Sequence, residues 1–224
     1  MAFATMSENQ NGEGGRGSEA TRLGLILAAE KLFGDLGVDA ASLRAICSAA
    51  GQKNISSVQY HFGDKYALLR AVLEYREKQI EPIRKVKLEE ARAQGRLGDV
   101  RTLLRILFEP YARMFLDEQN IGYIKLISSY TNHIRPRGVV LHPADYHDQS
   151  YPSLHEAMDL LRARLAFLDE RRFAQRADTV GAMFQGAFIQ FSARDPKQAS
   201  DKYLLYEDTL EMMAAAIAAP PFLP

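Results

Sequence analysis

The sequence predicts an all-α chain, on two observations. Apolar residues recur at helical spacing through one segment after another, and no run shows the period-two alternation of a strand or an Asn-Gly hairpin flanked by such runs. No internal repeat is visible.

Residues 1–17, MAFATMSENQNGEGGRG, carry Gly, Asn, Ser and Glu without periodicity and read as a disordered N-terminal tail, with Met6 a second candidate start. From Ser18, Leu25, Ala29, Leu32, Phe33 and Leu36 define a first helix that Gly37 stops. Ser42 caps a short second helix with Leu43, Ile46, Ala49 and Ala50, closed by Gly51. Asn54 is the expected cap of a third, ending near Phe62. Gly63 and Asp64 then restart the chain as a long helix, about 65–94, which Pro82 should bend because it removes one hydrogen bond. Two more follow at about 99–118, with Pro110 inside, and about 122–132. Residues 134–152 hold three prolines and no period, and are expected to form a long irregular connection. Three last helices are expected at about 153–168, 170–193 and 200–218.

Composition narrows the function. A hydrophobic fraction of 47% supports a packed core, and 28 basic against 28 acidic residues leave no overall field toward a polyanion, so nucleic-acid binding has to be local. The single cysteine, Cys47, excludes an intrachain disulfide and fits a reducing compartment. No apolar run is long enough to span a bilayer and the start lacks the order of a signal peptide, so the chain reads as cytoplasmic.

The chemistry gathers in GQKNISSVQYHFGDK, residues 51–65. Two short helices joined by a tight Gly-containing turn are the plan of a helix-turn-helix. In the third helix Val58 and Phe62 face the hydrophobic bed, while Ser56, Ser57 and Gln59 point outward, where hydroxyls and amides hydrogen-bond base edges in a major groove. Tyr60 and His61 are candidates for phosphate, although a histidine in such a place is also compatible with plain packing. Lys65 opens the next helix, whose free N–H groups favour an anion.

Residues 21–69 resemble the DNA-binding domain of the TetR family of bacterial regulators. The resemblance runs through TRLGLILAAEKLFGDLG, SLRAICSAAG and NISSVQYHFGDKYALL, with YHFG followed by an acidic and a basic residue. The turn before Asn54 is one residue longer than the commonest family pattern, and Gln59 stands where many members place a tyrosine. The resemblance implies a TetR-like fold in three parts: the tail, a helix-turn-helix domain over 18–75, and an effector-binding and dimerisation domain over 76–224. It implies DNA contacts from Arg44, Ile55, Ser56, Ser57, Gln59, Tyr60, His61 and Lys65, with Arg16 reaching a minor groove if the arm orders. It further implies a homodimeric, ligand-responsive repressor on a near-palindromic operator, released by a small-molecule effector. The competing reading is an all-α small-molecule-binding protein or enzyme with an incidental helix-turn-helix.

In the back half, Phe108, Tyr111, Phe115, Tyr123, Ile127, Tyr130, Met158, Leu161, Met183 and Phe184 are the candidate effector pocket, apolar and aromatic enough for a hydrophobic or aromatic molecule. Tyr206, Leu210, Met213 and Ile217 form an i, i+4, i+7, i+11 stripe, and Gly181 and Gly186 allow close helix approach. The resemblance implies that these six residues form the interface of a symmetric dimer; the alternative is that both stripes serve only the chain's own core. His133, His142, His147 and His155 with Asp145 and Asp148 lack metal-ligand spacing, so no metal or cofactor is expected. No phosphate loop, nucleophile elbow or zincin signature favours an enzyme.

Overall fold

The computed structural model describes residues 10–117, 120–146, 149–193 and 201–222, with the side chains of residues 10–16 left aside. Among the described residues there is helix and no strand: α1 (Gln10–Leu36), α2 (Leu43–Ala49), α3 (Ser56–Phe62), α4 (Lys65–Ala93), α5 (Val100–Leu116), α6 (Gly122–Ser129), α7 (Pro152–Arg164), α8 (Glu170–Ser192) and α9 (Asp201–Ala218).

Short polar side chains start α2, α4, α5 and α8 by accepting an otherwise unpaired backbone N–H. Ser42 accepts from Ala45 N at 3.1 Å, Asp64 from Ala67 N at 2.7 Å and Asp99 from Thr102 N at 3.0 Å. The stops at Gly37 and Gly63 have φ of 83° and 85°, a region only glycine enters without strain.

Four boundaries differ from the sequence expectation. α1 begins at Gln10 rather than Ser18, so the tail expected over 1–17 is helical from Gln10 onward, and residues 1–9 lie outside the described residues. Asn54 does not cap α3: its Oδ1 accepts from Ser56 N at 3.0 Å in a local turn, and Ile55 takes the cap position without a side-chain bond. α6 ends at Ser129 and continues as one π-helical turn, Tyr130–Ile134. α7 stops at Arg164 instead of 168. Pro82 and Pro110 lie inside α4 and α5 without ending them.

The apolar faces form two clusters. One joins α1–α4 through Leu25, Phe33, Ile46, Cys47, Val58, Leu69 and Leu73, and also takes in Tyr123, Leu126 and Tyr130 from α6 and the π turn. The other joins α5, α7, α8 and α9 through Leu104, Leu161, Phe188, Leu210 and Ile217. Each fully buried Leu or Phe contributes about 1.5–3 kcal/mol of transfer free energy. α4 has residues in both clusters, from Leu68 to Leu88, and α6 packs on α1 as well as on α8.

The stripe Tyr206, Leu210, Met213 and Ile217 is 0–3% exposed inside the second cluster. Its side chains pack into the chain's own core. Helical spacing shows that a face is buried without showing what buries it.

Candidate nucleic-acid interface and adjoining cavity

α3 is held by two apolar side chains, Val58 and Phe62. Val58 is fully buried, while Ser56 and Gln59 are exposed, Ile55 is 44% and Tyr60 81% exposed, and Ser57 is half-buried. The outward polar face expected of this helix is therefore present, and Arg44 is exposed on neighbouring α2. His61 is half-buried, its ring edge-on to Tyr60 at 4.9 Å. Phe62 is half-buried, with the Arg22 guanidinium 5.2 Å over its ring, so it closes the edge of the core.

The start of α4 is less open to an anion than expected. The Asp64 carboxylate already caps it, and Lys65 Nζ donates to the Asp39 carbonyl at 3.0 Å, tying α4 to the α1–α2 turn. A lysine ammonium has three donors, so Lys65 keeps capacity for phosphate. Asp39 is also paired with Arg137 at 2.7 Å. Lys53, exposed in the turn before α3, is a cation that pattern reading overlooked, because a single lysine in a turn carries no periodic signal.

α1 is fixed to α6 and α4 by polar contacts. Arg76 donates to the Glu30 carboxylate through two nitrogens, at 2.5 and 2.7 Å, with both side chains buried, and Asn120 adds a third donor at 3.2 Å. Nearby, the helices touch at glycine: a Cβ on Gly34 would stand 2.6 Å from the Gly122 carbonyl oxygen.

Behind this unit lies a cavity of about 580 Å³ bounded by α5, α6, α7, α8 and the segment after α6. Phe108, Tyr111, Tyr123, Ile127, Tyr130, Met158, Leu161 and Phe184 line it, as the candidate list expected. Phe115 and Met183 do not: Phe115 packs edge-on to Phe188 and Phe191 in the core, and Met183 packs against that core on α8. Gly181 and Ile217, expected between subunits, are on the cavity wall. Gly186 stays open, with nothing within 4 Å of a would-be Cβ.

The polar part of the wall includes His142 and Asp145, which stood out in the sequence, together with Arg135, Asp178 and Gln185, which did not. Arg135 donates to Asp145 at 3.2 Å and also to Asp178, and Tyr130 donates to Asp145 at 2.5 Å. Burial, with the Asp145 hydrogen bond, pushes the Tyr130 hydroxyl up to about 12. His142 accepts from Ala144 N through Nδ1 at 3.1 Å and faces Glu77 at 3.5 Å through Nε2. Glu77 is fully buried on α4, accepts a hydrogen bond from the Tyr111 hydroxyl, and pairs with Arg84 at 3.2 Å. Burial alone would raise its carboxyl, but Arg84, His142 and Tyr111 outweigh it and bring it down to about 2. These groups come from the irregular 135–145 segment and from isolated positions on regular helices, where no spacing marks them.

Among the described residues no group of three or more His, Cys, Asp or Glu is placed to hold a metal, and no helix is long and apolar enough to cross a membrane. His147 and Asp148 lie outside the described residues.

Residues 25–72, which span the C-terminal part of α1 through the first turns of α4, match the family model described as bacterial regulatory proteins, tetR family. No curated protein matches the chain. Among solved structures, one comes from work described as "Molecular basis for control of antibiotic production by a bacterial hormones", with 21% identity, 88% of this chain and 96% of that chain covered, and a TM-score of 0.48. Another is of a putative TetR-family transcriptional regulator from Mesorhizobium loti MAFF303099, with 17% identity, the same coverages and a TM-score of 0.42.

Proposed function

Residues 25–72 of this chain belong to the TetR family of bacterial regulatory proteins, and from that premise we propose that the protein is a DNA-binding repressor released by a small-molecule effector. Residues 18–75 read the operator, and residues 76–224 bind the effector and dimerise. The observation that carries this reading is α3, anchored by Val58 and Phe62 with its polar face turned outward. Ser56, Ser57 and Gln59 meet bases, with Ile55 in contact beside them. Arg44, Tyr60, His61, Lys65 and Lys53 meet phosphates.

Two copies read a near-palindrome with half-sites about 34–36 Å apart. Since the α9 stripe is buried, the dimer face is the opposite side of α9, with Leu204, Met212 and Ala215 exposed, together with Thr179, Ala182 and Gly186 on α8. Gly186→Arg, placed in open space on this face, is expected to leave folding intact and shift sedimentation from dimer to monomer, with loss of operator binding. A dimer that survives the arginine places the interface elsewhere.

Release follows from elements shared between cavity and reading head. α4 carries Glu77 and Arg84 behind the cavity and Leu68, Leu69 and Val72 in the front core, and α6 lines the cavity with Ile127 while Gly122 touches Gly34. An effector that prefers a different setting of these helices shifts the population to one whose two α3 helices no longer match the operator.

The test is duplex binding across salt concentrations, which is expected to fall steeply as counterions compete. Lys53→Ala weakens every duplex alike and lowers the salt slope by about 1, whereas Gln59→Ala relaxes preference at one base position by about 1–3 kcal/mol. A dimer with no preference for a palindrome over a scrambled duplex would favour the purely small-molecule-binding reading instead.

A further inference from the structure

The cavity's own hydrogen-bond ledger points to the kind of molecule it takes, on the reading that the cavity is the effector site. Its charged groups are already matched. Arg135 is flanked by Asp145 and Asp178, and Asp145 also accepts a hydrogen bond from Tyr130. Arg162 is flanked by Asp159 at 3.5 Å and Glu170 at 3.1 Å. An anion would have to take an arginine from two carboxylates, and a cation would have to displace an arginine from its aspartates. At Arg135 and Asp145, the partly buried pair, such an exchange leaves a charge unmatched at a cost that a new pair does not return, while the solvent-exposed partners of Arg162 weigh little either way.

One polar group on the wall is not matched. Gln185 on α8 is 7% exposed, and its Oε1 accepts from Thr131 Oγ1 at 3.3 Å. No described residue accepts from its Nε2. That nitrogen lies 4.0 Å from where a Cβ of Gly181 would be, and Gly181 is itself on the cavity wall. Because Gly181 has no side chain, a ligand atom can approach the amide there. The Tyr123 hydroxyl is also unpartnered but closed off, whereas the Gln185 nitrogen opens to the cavity, so a bound acceptor can take its hydrogen bond.

We propose that the effector is a neutral, mainly apolar molecule bearing a carbonyl-type oxygen, which accepts from Gln185 Nε2 beside Gly181 while its body lies along Phe108, Ile127, Met158 and Phe184.

The test uses the full-length protein and four matched probe series of increasing chain length: methyl ketones, the 2-methyl-1-alkenes in which a methylene replaces the carbonyl oxygen, fatty carboxylates and alkylammonium ions. Calorimetric titration is expected to show ketones binding about five-fold more tightly than their alkenes, the value of one neutral hydrogen bond, with both charged series weaker still. In Gln185→Leu the ketone preference falls to about one-fold while alkene binding is kept, and Gly181→Ala, whose methyl covers the amide, lowers the preference in the same direction. A ketone preference unchanged in Gln185→Leu, or charged probes binding as tightly as ketones, overturns the assignment while leaving the cavity as an effector site. Failure of ketones and alkenes alike, in protein that still binds duplex, overturns the effector-site reading and this assignment with it.

Discussion

Replacing Arg84 by Met is expected to cost about 3–5 kcal/mol of folding stability, read as a lower denaturation midpoint, because it leaves the Glu77 carboxylate buried without its cation. Arg84 and Glu77 are both wholly inaccessible to solvent. The pair also organises the wall behind the cavity, since Arg84 Nη2 donates to the Tyr111 oxygen at 3.3 Å and Nη1 to Glu81 at 3.2 Å, while Glu81 accepts from Ser153 N at the start of α7. Removing one partner is far worse than removing both, so the double variant Glu77→Gln with Arg84→Met should recover much of the loss. The pH dependence separates this cause from a simple packing defect. In the parent protein Glu77 is depressed from 4.5 to about 2, so it contributes stability at pH above 4.5 that is lost as pH falls toward 2. Without Arg84, burial becomes the dominant influence on Glu77 and works to raise its pKa, so the variant's deficit should shrink as acid neutralises the carboxyl. A deficit of the same size at every pH would mean that Arg84 acts through its volume alone.

How much of this was legible in the chain varies with the kind of signal each residue leaves. Helix starts could be read where a capping side chain sits next to the first helical residue, as with Ser42 before Leu43. At Asn54 the same residue type folds back on Ser56 N instead, because asparagine supports a local turn as readily as a cap, and α3 starts later. Aromatic members of the cavity could be named because they recur at helical spacing on α5 and α6, yet Phe115 and Met183 share that spacing and face the core. Periodicity gives a direction around one helix and nothing about its neighbours, which is also why the α9 stripe reads as a seam while its side chains pack into the chain's own core. Arg135, Asp178 and Gln185 left no mark at all, and Asp145 stood out only as one of several His and Asp residues in a loop. Their partners lie 10 to 54 positions away in sequence, and only the folded chain brings them together.

The contact between Gly34 and Gly122 leads to the second large effect. Gly34→Val is expected to destabilise the protein by about 1–3 kcal/mol, the usual cost of forcing extra atoms into a packed interface. The first carbon alone would stand 2.6 Å from a backbone carbonyl and 3.3 Å from Lys125 Cβ, so neither neighbour can rotate away and α1 and α6 must separate. That separation pulls on the Glu30–Arg76 pair and on Asn120, which bind α1 to α4 and to the residues just before α6. Gly24→Ala is the control on the same helix, since its new methyl meets only Ala50 atoms at 3.9–4.0 Å, ordinary contact distances. Freed of a clash, that substitution should stabilise the protein by up to about 1 kcal/mol through the helix preference of alanine. Opposite signs at the two glycines, measured by equilibrium unfolding, would identify the α1–α6 contact as a close steric joint between reading head and cavity wall. If Gly34→Val is tolerated as well as Gly24→Ala, the two helices slide freely, and the proposed coupling of cavity to α3 would have to run through α4 alone.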